Sequence, residues 1–135
     1  MRRVEEIFPW FYEQLAVTKD SLNYYKSPSL QHLPDTGAMI NYCVYRIDCL
    51  EKLCSVLQNY QKFDNEGLSG NIDLTVLNEL KSFCIKEKER YTDAVYDNIQ
   101  IKEKFYKAFQ DGDAMIYFQE AELYIIKLIS DVSNA

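Results

Sequence analysis

Apolar residues recur along most of this chain at three- and four-residue spacing, the period of an α-helix buried along one side. Four segments carry the pattern. In the first, Phe11, Leu15, Leu22 and Tyr25 fall on one face, with Thr18 completing the row. Proline suits the first turn of a helix and disfavours helical geometry at the residue before it. This helix is therefore expected to run from Pro9 to Lys26, with residues 1–8 adding at most a short turn. The stretch Ser27-Pro28-Ser29-Leu30-Gln31-His32-Leu33-Pro34 then breaks the chain with two prolines and two serines.

The second helix is expected from Asp35 or Thr36 to Phe63, with Asp35 as its N-cap. Residues 64–71 follow as a loop in which Gly67 and Gly70 act as terminators. A third helix starts near Asp73 and extends toward Phe109. Leu77, Leu80, Cys84, Tyr91, Val95, Ile99, Phe105 and Phe109 keep one of its faces apolar. Unbroken, it would span about 54 Å, so a kink near residues 97–100 is expected as readily as continuity. Asp111-Gly112-Asp113 reads as a tight turn. A fourth helix then runs to Val132, with Phe118, Ala121, Ile125 and Leu128 on one face and Ile126 and Ile129 widening it. Tyr42-Cys43-Val44-Tyr45 and Tyr124-Ile125-Ile126 favour strands in isolation, but each sits inside a long helical period, and the summed pattern outweighs local propensity. The expected fold is all-α: one domain over residues 1–135, built as an antiparallel helical bundle of four to five helices.

The second helix carries the most informative surface. On a helical wheel with Cys43 at zero, Ile47, Leu50, Cys54 and Leu57 lie within about 40° of it. Tyr42, Tyr45, Cys49, Leu53, Val56, Tyr60 and Phe63 form a second group, and the two groups together span about 200°. A surface helix needs about half that width, so this one must be covered on two sides. Either it is the central helix of the bundle, or its second face binds another chain. Arg46 falls inside the apolar arc. Its guanidinium must either reach past the stripe into solvent or meet a carboxylate, a carbonyl cluster or a partner's acid. Aromatic residues and arginine are also the types enriched in interface cores and binding hot spots. The candidate partner-binding residues are thus Tyr42, Tyr45, Arg46, Cys49, Leu53, Val56, Tyr60 and Phe63.

Composition narrows the rest. The chain has 135 residues, enough for one real core. Its 47% hydrophobic content and 11 tyrosines exclude long disorder. The segment Met1-Arg2-Arg3-Val4-Glu5-Glu6 carries acids where a signal peptide needs its apolar stretch, and no apolar run approaches a membrane span. A cytoplasmic protein with no membrane association is expected. The net charge is −6. Residues 64–79 hold four acids and no base, and residues 111–135 hold five acids against Lys127. The bases of residues 80–110 are interleaved with acids, as on a solvated helix face with local ion pairs, which makes nucleic acid an unlikely partner.

Catalytic and metal chemistry find little to stand on. His32 is the single imidazole and sits in the Pro-flanked loop, with no Gly-x-Ser-x-Gly elbow beside it. Cys43, Cys49, Cys54 and Cys84 contain no Cys-x-x-Cys pair. Cys43 and Cys54 share a helix face but lie about 16 Å apart along the axis, too far for one disulfide or one zinc ion. They read as reduced, structural thiols. Glu-x-x-His pairs are absent, and Glu120 and Glu122, like Glu87 and Glu89, point to different sides of a helix. No enzyme activity, metal or cofactor is expected. The functional expectation is a non-enzymatic protein-interaction module of the inhibitor, immunity or adaptor type. It would dock a helical face on a partner protein with a basic surface, or on a second copy as a homodimer. The rival expectation is a nucleic-acid-binding regulator that uses the basic residues of the third helix.

Overall fold

The computed structural model describes residues 3–60, 73–97 and 114–134. The described residues form an all-α helical bundle of α1 (Val4–Tyr25), α2 (Thr36–Gln58), α3 (Leu74–Asp97) and α4 (Ala114–Ser133), with one 3-10 turn at Pro28–Leu30. The helices pack in pairs, α1 on α2 and α3 on α4. Val4–Asn59 form one compact unit; α3, α4 and Tyr60 belong to a second. Phe63, the loop of residues 64–71, the extension of the third helix beyond Asp97 and the turn at residues 111–113 lie outside the described residues.

In the first unit, α1 starts earlier than the position of Pro9 suggests. Val4 and Ile7 are buried and extend the row through Phe11, Leu15 and Thr18. Pro9 is therefore inside the helix and exposed. Its missing N–H removes one backbone bond. Burial of Val4 and Ile7 outweighs that loss, since each large apolar side chain gains about 1.5–3 kcal/mol on leaving water. Glu5 and Glu6 in the first turn also oppose the helix dipole favourably.

The connection to α2 folds tightly on itself. Pro28 opens the 3-10 turn, whose Leu30 N–H donates to the Ser27 carbonyl at 3.0 Å. The Gln31 side-chain amide donates to the carbonyls of Tyr25, at 3.1 Å, and Ser27, at 3.3 Å. The Thr36 hydroxyl donates to the Leu30 carbonyl at 2.7 Å and ties the start of α2 to this turn. Asp35 occupies the N-cap position but makes no side-chain capping bond; its φ of −93° and ψ of −4° are already helical. Anchoring by Thr36 takes the place of the expected cap. At its other end α2 stops at Gln58, where Asn59 donates from both its backbone and its side chain to the Ser55 carbonyl.

In the second unit α3 begins at Leu74, as the expected start near Asp73 implies, and the Asp73 carboxylate accepts from the Thr75 N–H at 2.8 Å. Leu77, Leu80, Phe83 and Cys84 are fully buried, as are Phe118, Ala121 and Ile125 of α4. Phe83 and Phe118 meet edge to face at 5.8 Å between ring centroids. Further along both helices, Lys88 donates to Gln119 Oε1 at 2.6 Å and pairs with the Glu122 carboxylate. Glu87 is buried beside Arg90, whose Nη2 lies 2.9 Å from its carboxylate.

Candidate functional site

Burial divides the candidate residues of α2 and its C-terminal edge into two sets. Arg46, Cys49, Leu53 and Tyr60 are buried within the chain. Tyr42 and Val56 are half-buried, and Tyr45 is 38% exposed. On the other apolar group of α2, Cys43, Leu50, Cys54 and Leu57 are buried and Ile47 is half-buried. Most of the wide apolar arc thus serves the interior, and Tyr42, Tyr45 and Val56 retain surface.

Arg46 neither reaches solvent nor meets a carboxylate in the contact that crosses to α1. Its Nη1 donates to Thr18 Oγ1 at 2.6 Å, and the Thr18 hydroxyl donates to the Gln14 carbonyl at 2.7 Å. The hydroxyl therefore satisfies a helix carbonyl with its proton and the guanidinium with its lone pairs. Tyr60 is packed edge to face on Tyr124 at 4.7 Å, with the Lys127 ammonium 5.3 Å from the Tyr60 ring centroid.

The solvent side of α2 also carries Val44, which is 52% exposed and which the wheel argument passed over. Its signal was available: Val44 lies between the two apolar groups, beside Asn41, Asp48 and Glu51, where polar residues are expected. Charges rim this surface. Asp48 pairs with Lys52 at 2.9 Å one turn along, and Glu51 with Lys19 of α1 at 3.5 Å. Both pairs are exposed, so each fixes the rim only weakly.

Nucleophile chemistry gains nothing from the cysteines. All four are free and buried. Burial pushes the Cys54 thiol up to about 11, with the Glu51 carboxylate adding to the effect. Burial raises Cys43 as well, and nearby Arg46 partly offsets it. Thiols held protonated at neutral pH are poor nucleophiles and poor metal ligands. His32 is exposed in the connection before α2.

Among the α3 bases of the rival expectation, Lys88 and Arg90 are engaged with Glu122 and Glu87. Lys102, Lys104 and Lys107 lie outside the described residues. Comparison with family models, with curated proteins and with solved structures found no match to this chain. No helix among the described residues is long and apolar enough to cross a membrane.

Proposed function

We propose that this chain is a non-enzymatic protein-interaction module of the inhibitor, immunity or adaptor kind, acting in the cytoplasm by docking the outer face of α2 on a partner protein. The supporting observation is the outer surface of α2, where Tyr45 is exposed on the same face as half-buried Tyr42 and Val56. Tyrosine offers a large, stiff contact area with a polar tip, the combination that interfaces favour. The excess of acid elsewhere, −6 in total, would steer the chain toward a basic partner surface. Four free, buried cysteines and a single loop histidine suit a reduced compartment and a role without covalent chemistry.

The test is capture of binding proteins by the immobilised chain, with Tyr45→Glu and Val44→Glu as controls. Both positions are exposed, so far-UV circular dichroism should be unchanged in the variants. The expected result is a partner retained by the natural chain and by Val44→Glu, which alters another side of the helix, and lost by Tyr45→Glu. A partner held equally by all three would place the binding face elsewhere. Arg46→Glu does not serve as an interface probe, because its buried position makes it a folding mutation.

A further inference from the structure

We draw no further inference here: the strongest candidate, the outer strip of α1 on which exposed Val17 and Tyr24 alternate with Glu13 and Asp20, is a surface patch for which nothing in the structure shows what covers it.

Discussion

Arg46 of α2 is hydrogen-bonded to Thr18 of α1 across a buried contact, Nη1 to Oγ1 at 2.6 Å. A guanidinium in the interior is tolerated only where its donors are met. Thr18→Val keeps the shape and removes the acceptor. It should lower the unfolding free energy by about 1.5–3 kcal/mol, the usual range for a hydrogen bond to a charged group. Arg46→Met should cost less than Thr18→Val, because it removes the charge that needs the bond and leaves the Thr18 hydroxyl still donating to Gln14. Urea denaturation of the two variants checks the ranking. Equal stability of Thr18→Val and the natural chain would show that the bond contributes nothing.

The helical architecture was legible because its signal is cumulative. Phe11, Leu15 and Thr18, or Phe118, Ala121, Ile125 and Leu128, repeat over several turns, and all are buried as the period implies. Three features were not legible. Pro9 marks a helix start by local rule, yet Val4 and Ile7 win through tertiary burial that no local rule includes. The partner of Arg46 is 28 residues away, and a threonine at Thr18 reads only as a gap in an apolar row. Glu87 reads as a member of a solvated, charge-interleaved face, and Glu122 only as an acid on a different side of its helix from Glu120, while the fold buries both beside bases. In the candidate site, the width of the α2 arc was visible, but division of that arc between interior and surface depends on neighbours. Tyr45 kept its surface; Cys49 and Leu53 did not.

Cys54 gives the chain an alkaline limit. Burial, with the Glu51 carboxylate adding to it, pushes its thiol up to about 11 in the folded chain, from the ordinary thiol value of 9.0. The unfolded state releases this proton first, so the contribution to stability is complete below pH 9 and is lost as pH rises toward 11. Denaturation midpoints should therefore fall across that interval, and Cys54→Ala should show a shallower decline than the natural chain. Identical slopes would remove Cys54 as a cause. Alkylation by iodoacetamide at pH 8 should likewise be slow until denaturant is added, since the thiolate is the reactive form.

The contact of Lys88 with Glu122 joins α3 to α4 where the carboxylate is nearly buried and the ammonium is partly exposed. Removing one partner leaves the other's charge in poor surroundings, and removing both does not. Lys88→Met alone should destabilise by about 1–3 kcal/mol, with Gln119 losing its bond as well. Lys88→Met combined with Glu122→Leu should recover most of that loss. A double-mutant cycle by thermal or urea unfolding measures the coupling. If the double variant is no more stable than Lys88→Met, the pair is not the source of the cost.

Pro9 sits within α1 and faces solvent, so its ring contributes little packing and its nitrogen cannot donate to the Glu5 carbonyl one turn back. Pro9→Ala supplies that donor and a better helix former. Two effects temper the gain: the site is only five residues from the helix start, where fraying already weakens the backbone bonds, and proline restricts the unfolded chain. The net expectation is stabilisation by about 1–2 kcal/mol, well below the full interior penalty. The midpoint of thermal unfolding should rise, and hydrogen exchange at the amides of residues 8–11 should slow. A lowered midpoint would mean that the first turn of α1 depends on the fixed backbone angle of Pro9 rather than on the burial of Val4 and Ile7.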